Sequence, residues 1–331
     1  MQNEIIKEIN VSKVLKNKNF GYSKHPLIIY DKENLKRKHR LKEWNFYQIL
    51  TDDYCLQLNI ADIKYASLIT VDLFNLHTKE RYSFNQTEIL KKIVTLDNNP
   101  EVDSNIYYSN TDKLISFEVK DNKRFLRFEG KNNKYFKYKV DLILTSPIYC
   151  DSMNIITPFK NKKNHFYLNY KNNNFIAVGK VEINDLSIDI NGYGLLDWGR
   201  GVWPYRNNWI WGSFTKKINN DLIGLNIGYG FGDISRASEN MLFVNGICYK
   251  LGYLDVKITS YNEAYVISDN LNQVSLKMRP IHDNYTCTNF KIVKMECHQV
   301  FGFLSGKIII QNNEVVFDNV LGFIEKCNNR W

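Results

Sequence analysis

The stretch Phe136-Lys137-Tyr138-Lys139-Val140-Asp141-Leu142-Ile143-Leu144 decides the fold class. Phe136, Tyr138, Val140, Leu142 and Leu144 fall on one side of an extended chain, and Lys137, Lys139 and Asp141 on the other. Successive strand side chains point to opposite faces. A period of two with one charged face therefore reads as antiparallel sheet, packed on one side and wet on the other. Tyr54, Leu56, Leu58 and Ile60 repeat the pattern, as do Ile115, Phe117 and Val119. Asn245-Gly246 divides two apolar runs, and both residues tolerate the positive φ of a two-residue hairpin turn. Asp121-Asn122, Asn184-Asp185, Asp269-Asn270 and Asn312-Asn313 mark further hairpin loops. Short strands at this spacing predict an all-β sandwich or barrel system and not βαβ units. Helix is scarce. Asn85-Gln86-Thr87-Glu88 has the form of a capping box before Ile89, Leu90, Ile93 and Val94, which predicts one helix. Residues 233–240 read as a second, short one.

A chain of 331 residues exceeds the size at which one core stops growing, about 250–300 residues, so two domains are expected. The polar stretch 160–174, with Lys160-Asn161-Lys162-Lys163 and Lys171-Asn172-Asn173-Asn174, interrupts the alternation and places the boundary. The expected domains are residues 1–174 and 175–331. Lys and Arg number 44 against 35 Asp and Glu, a net charge of +9. The charge is mostly scattered lysine, densest at residues 32–42 with Lys36, Arg37, Lys38, His39, Arg40 and Lys42. That run reads first as a solvated loop, with weak contact to an anionic membrane as the other reading. No nucleic-acid-binding motif accompanies it, so nucleic acid is not an expected partner. No run approaches the ~20 apolar residues that span a bilayer. Met1-Gln2-Asn3-Glu4 opens no signal peptide, and the six cysteines are far apart without a Cys-x-x-Cys. Reduced thiols in a cytoplasmic protein are expected.

Residues 192–212 are unlike the rest. Four of the six tryptophans lie there (Trp198, Trp203, Trp209 and Trp211), behind four glycines between Gly192 and Gly201. Trp209-Ile210-Trp211 begins a strand, so both indoles share a face. Rigid aromatic walls with a few convergent polar groups make a pocket for a small hydrophobic molecule. Asp197 is the candidate acid, because a carboxyl among indoles holds its proton more tightly. Trp198, Arg200, Trp203, Tyr205, Arg206, Trp209 and Trp211 are the candidate ligand-binding residues. The competing reading is structural, with the indoles plugging a barrel and Asp197 paired to an arginine. No Gly-x-Ser-x-Gly, phosphate loop or dinucleotide fingerprint is present, and no cofactor is implied. The histidines show no metal-ligand spacing, so no metal is expected. His298, beside Glu296-Cys297 and ahead of Gln299, Phe301 and Gly302, joins the candidate ligand-binding set.

Asp197-Trp-Gly-Arg-Gly-Val-Trp-Pro-Tyr, followed by Trp209-Ile-Trp-Gly, resembles an uncharacterised family of bacterial and fungal proteins known only as a domain of unknown function. Further blocks agree in order: Lys42-Glu-Trp-Asn-Phe-Tyr with Ala61-Asp-Ile-Lys-Tyr-Ala, Ser238-Glu-Asn with Asn245-Gly246, His298-Gln-Val-Phe-Gly-Phe-Leu-Ser-Gly, and Gly322-Phe-Ile-Glu closing on Arg330-Trp331. More distantly, Trp-Gly followed by a Trp-x-Trp strand is similar to the hydroxyneurosporene synthase, AttH and tocopherol cyclase group. That likeness implies two tandem lipocalin-like antiparallel β-barrels with few short helices, and proton-transfer chemistry on an isoprenoid, with Asp197 as acid and the indoles steadying positive charge. Several of those relatives carry a histidine in this motif where the present chain has Arg200 and Arg206. Three functions follow as alternatives: an enzyme acting on an isoprenoid- or acyl-like molecule, a non-catalytic carrier or sensor for one, and a peripheral protein at an anionic surface.

Overall fold

The computed structural model describes residues 2–131, 137–290 and 293–330. Phe136 and Trp331, both used in the sequence reading, lie outside the described residues. The N-terminal region holds β1 (Ile9–Asn10), α1 (Val11–Asn17), β2 (Gly21–Ser23) and β3 (Ile28–Ile29). The next strands are β4 (Leu41–Leu50), β5 (Tyr54–Asp62), β6 (Ala66–Asn75), β7 (Arg81–Ile89), β8 (Ser104–Ser109), β9 (Lys113–Lys120), β10 (Lys123–Lys131), β11 (Lys137–Thr145), β12 (Met153–Pro158), β13 (Phe166–Ile183) and β14 (Leu186–Val202). The last run is β15 (Arg206–Ile218), β16 (Asp221–Tyr229), β17 (Met241–Val244), β18 (Ile247–Lys250), β19 (Leu254–Lys257), β20 (Tyr265–Asp269), β21 (Val274–Phe290), β22 (Val293–Ile310) and β23 (Asn313–Arg330).

Two antiparallel sheets in tandem make the all-β fold. The first runs β7-β6-β5-β4-β14-β13-β11-β10-β9-β8, with β12 and β2 attached through β13. The second runs β18-β17-β16-β15-β23-β22-β21-β20-β19. Each sheet curls around its own apolar core in a barrel-like form. The alternations decide which faces turn inward. Leu56, Leu58 and Ile60 are fully buried in the first core with Tyr138, Val140, Leu142 and Leu144. Asn245 and Gly246 adopt positive φ between the paired residues Val244 and Ile247, which is the tight hairpin expected. Near Asn312 the two-residue turn is Gln311-Asn312, one position earlier than read from sequence.

Both helices expected from sequence are absent. The capping-box pattern at residues 85–88 lies in β7, which pairs with β6 from Ala66↔Ile89 to Phe74↔Arg81 and buries Phe84 and Gln86 on alternate positions. A nine-residue ladder along an available sheet edge outweighs a local cap with no helical face to bury. Residues 233–240 are turns and bends. The helix that forms is α1, where Val11 and Val14 sit one turn apart and are fully buried in the first core.

The expected boundary at 174/175 falls inside β13, at a bulge between Asn172 and Phe175. Both β13 and β14 belong to the first sheet, and the chain passes to the second at residues 203–205. Of the run read as a linker, Lys160 to Lys163 are exposed as expected, but the second part is buried, with Lys171 2%, Asn172 4%, and Asn173 and Asn174 0% exposed. Before the bulge Phe166, Leu168 and Tyr170 enter the first core. After it Phe175, Ala177, Val181 and Ile183 do. The extra residue shifts the alternation by one and keeps the apolar side inward. The opposite face of β13 is covered by the second sheet. Asn173 Nδ2 donates to Ser213 Oγ at 2.6 Å and to the Leu225 carbonyl at 3.1 Å, and Thr215 Oγ1 donates to the Asn173 carbonyl at 2.8 Å. Asn173 thus ties β13 to the second sheet, while Asn172 and Asn174 bond within the first, to Tyr170 and Cys150, and the Oδ1 atoms of Asn173 and Asn174 accept no hydrogen bond among the described residues.

Gly199 shows how tightly this seam closes. A Cβ there would meet the Trp44 ring at 1.8 Å, because Trp44 lies directly over its cross-strand partner. Gly199→Ala should lower unfolding free energy by about 1–3 kcal/mol, the usual cost of overpacking. Urea denaturation measures it, and an unchanged midpoint would show that Trp44 has room to move.

Candidate functional site

Strand alternation divides the tryptophan motif between two faces. Trp198, Arg200 and Val202 point to the first core, while Asp197, Gly199 and Gly201 face the second sheet. Arg200 is fully buried and accounts for its charge without Asp197. Its guanidinium donates to the Trp44 carbonyl at 2.6 Å, Asn45 Oδ1 at 2.9 Å and Asp97 Oδ1 at 2.9 Å, and lies 3.8 Å from Glu43 Oε1. It stacks 3.8 Å over the Trp198 ring, whose Nε1 donates to Asp97. Burial pulls the Arg200 pKa down, and Asp97 and Glu43 pull it back.

Asp197 faces the seam between the sheets. Its register partner on β13 is Lys171, whose Nζ lies 3.9 Å from Asp197 Oδ2 and 3.0 Å from Glu239 Oε2. The same ammonium sits 3.9 Å over the Trp211 ring. Asn169 Nδ2 donates to Asp197 Oδ1 at 2.5 Å. Glu239 comes this close because residue 228 is glycine: a Cβ there would stand 2.6 Å from the Glu239 Cβ. Glu325, on β23, forms the partly exposed end of the cluster. It accepts from Trp209 Nε1 at 2.8 Å, and Trp211 Nε1 donates to Asn226 Oδ1 at 2.8 Å. Both indoles of the Trp-x-Trp strand thus reach polar partners in the seam.

Lys171 pairs with Asp197 and Glu239, and its charge reaches Glu325 at longer range. Burial pushes Glu325 up to about 7, against the opposing pull of the Trp209 N–H and of Lys171. Burial also raises Glu239, with Lys171 opposing. Lys250 lies behind Glu239 and is pulled down to about 7 by burial, with Nζ donating to Ser238 Oγ, the Asn240 carbonyl and the Leu251 carbonyl. A surplus of carboxyls over nearby cations in a low-dielectric site keeps a proton on one of them near neutral pH. The arrangement can hold and release a proton.

The remaining candidates are dispersed. Trp203 and Trp209 pack edge-to-face with Phe231 at 4.6 and 5.3 Å, and Trp44 meets Trp203 at 5.1 Å, so these rings fill one another's space. Tyr205 and Arg206 are exposed. His298 faces the second core, where Nδ1 lies 2.7 Å from Asp283 Oδ2 and the ring stacks on Tyr261 at 3.7 Å. Of the basic run, Arg40 donates to the Trp203 carbonyl and the buried Lys42 to the Ile63 carbonyl, which leaves Lys36, Arg37, Lys38 and His39 exposed. A cavity of about 380 Å³ opens beside Trp198, lined also by Ile28, Tyr30, Leu168, Asn169 and Tyr170 and by the polar Asp31, Lys32, Glu33, Asn98, Asn99 and Asn154. Asn169 borders this cavity, while its side chain turns to the other face of β13, toward Asp197.

Sequence reading missed Lys171, Glu239, Glu325, Asn169 and Asp97. A signal existed for two of them: Glu239 stands in the Ser238-Glu-Asn block and Glu325 in the Gly322-Phe-Ile-Glu block. It also expected reduced cysteines, whereas Cys297 and Cys327 form a disulfide and Cys55, Cys150, Cys248 and Cys287 are free. Directly opposed cross-strand positions bring the two together although 30 residues separate them.

A family model described as Domain of unknown function (DUF2804) matches residues 2–331. No curated protein matches the chain. Among solved structures, a Nitrosomonas europaea protein provisionally named AttH is similar, with TM-score 0.56 and 9% identity over 88% of this chain and 93% of that one. Kievitone hydratase from Nectria haematococca has TM-score 0.49 and 13% identity over 91% of each chain. The first likeness bears on the fold and agrees with the AttH-like arrangement expected from the motif.

Two measurements check the electrostatics. Asp97→Ala leaves the buried Arg200 without its nearest carboxylate and should cost about 3–5 kcal/mol in urea unfolding. A raised carboxyl pKa favours the folded state at low pH, and that contribution is lost as pH rises through the folded value. The stability of the native chain relative to Glu325→Gln should therefore fall as pH rises from about 4.5 through about 7. A difference independent of pH would show that Glu325 titrates normally.

Proposed function

The chain belongs to this family of unknown function, and from the site itself we propose that it binds a small, largely apolar molecule, isoprenoid- or acyl-like, in the cavity beside Trp198. The mode is lipocalin-like: a curled sheet holds the ligand against aromatic and aliphatic walls. A volume of about 380 Å³ lies within the ~300–1,000 Å³ typical of small-molecule sites. The observation that carries the reading is the wall of this cavity, where Tyr30, Tyr170 and Trp198 bring aromatic faces together with Ile28 and Leu168, and Asn98 and Asn154 add polar groups that orient a ligand.

One feature favours catalysis over carriage. The carboxyl surplus behind Asn169 holds an exchangeable proton, and Glu325 connects it to solvent. In this reading Asp197, on the seam side of β14 next to the cavity-lining Trp198, is the acid, and Glu239 and Glu325 replenish it.

Tryptophan emission titrated with a panel of isoprenoids, fatty acids and acyl esters tests binding. Quenching is expected, and Ile29→Arg, which places a charge at the exposed cavity rim, should weaken it about tenfold or more, a loss of about 1.4 kcal/mol. No quenching across the panel would remove the cavity from consideration. For a ligand that binds and turns over, Asp197→Asn should abolish turnover and leave quenching intact. Turnover that survives the change would end the acid role.

A further inference from the structure

Cys297 and Cys327 face the seam, on the same strand faces as Gln299 and Glu325 respectively. They stand opposite each other in the register of β22 and β23, with Cα atoms 4.2 Å apart and the sulfurs joined. Trp209 is the register partner of Cys327 on β15. The two sulfurs and a Glu325 carboxylate oxygen all lie within 4.8 Å of one another. Cys327 is 2% exposed and Cys297 9%, so an attacking thiol meets Cys297 first. A disulfide in a purely structural role needs no acid beside it. Here a carboxyl whose pKa burial raises stands within 4.8 Å of both sulfurs, and a small side-chain movement brings it to hydrogen-bond distance of the leaving sulfur.

We propose that Cys297–Cys327 is a reversible dithiol/disulfide pair, with Glu325 as the group that gives the proton to the leaving sulfur and takes it back. The reaction partner is a dithiol reductant. Its thiolate attacks Cys297 Sγ, the S–S bond breaks, and Cys327 leaves with the electron pair and takes the Glu325 proton. The reductant's second thiolate then attacks its own sulfur in the mixed disulfide. Cys297 is released and takes a proton from water, and Glu325 regains its proton from solvent. Two electrons and two protons pass from the reductant to the pair, and the reductant departs as a disulfide. Because Trp209 hydrogen-bonds Glu325 and lies opposite Cys327, its emission reports the change.

The test uses the full chain in dithiothreitol buffers, with alkylation and mass spectrometry following the peptides of Cys297 and Cys327. Complete, reversible reduction of the folded protein is expected. Glu325→Gln should slow reduction about a hundredfold near neutral pH, the usual worth of a positioned acid, and flatten its pH dependence. Alkylation of the exposed Cys287 should be unchanged. Trp209→Phe gives a second readout. Removing the N–H that steadies the carboxylate raises the Glu325 pKa, so the fall of rate with rising pH should move to higher pH. A pair that resists excess dithiothreitol until the chain unfolds would overturn the proposal. So would a rate and pH profile that neither substitution changes.

Discussion

Burial of one strand on both faces organises this molecule. In most of the first sheet one side of each strand covers an apolar core and the other meets water. Over its first ten residues β13 has no wet side, because the second sheet lies against it. Polar groups there turn to partners inside the protein, since an unsatisfied buried group costs about 1–3 kcal/mol. Asn173 Nδ2 bridges to β15 and β16 and Lys171 reaches Asp197 and Glu239, while the Oδ1 atoms of Asn169, Asn173 and Asn174 accept no hydrogen bond among the described residues. The bulge at Asn172 to Phe175 lets the same strand serve both cores, since it resets which side chains turn inward.

The same burial produces the chemistry. Lys171 lies between Asp197 and Glu239 in a site lined by indoles, and burial raises Glu239 and Glu325, so a proton stays bound there. Arg200, only three residues from Asp197, takes no part, because an odd separation along a strand puts the two on opposite faces. Its charge is spent on Asp97 and Glu43 inside the first core. Two ionic systems thus lie back to back across β14, one balanced and structural, the other short of positive charge and able to exchange a proton.

Much of the fold was legible because it follows from local periodicity. The alternations at residues 54–60 and 138–144 and the Asn245-Gly246 turn were realised in the sheets. The helix expected at residues 85–88 failed because a cap pattern is worth little against a ladder that an adjacent strand offers. The expected boundary lies inside β13 because polarity was taken as exposure: Lys171 and the three asparagines are polar and buried. For the site, the motif contained Asp197, but its partners came from β13, the 231–240 loop and β23, remote in sequence. Glu239 and Glu325 were visible only as acidic residues within blocks that resembled a family.

By itself the sequence determined the strands, most of the turns and the unusual character of residues 192–212, since each depends on spacing within a few residues. Tertiary structure decided the rest. It split the tryptophan motif between two faces, made Trp203 and Trp209 packing partners, left Trp198 on a cavity wall, and chose Lys171 over either arginine as the cation beside Asp197. The physical reason is that a side chain's environment is set by what covers its face of the sheet. Here that cover is a second sheet whose contacts no local pattern encodes.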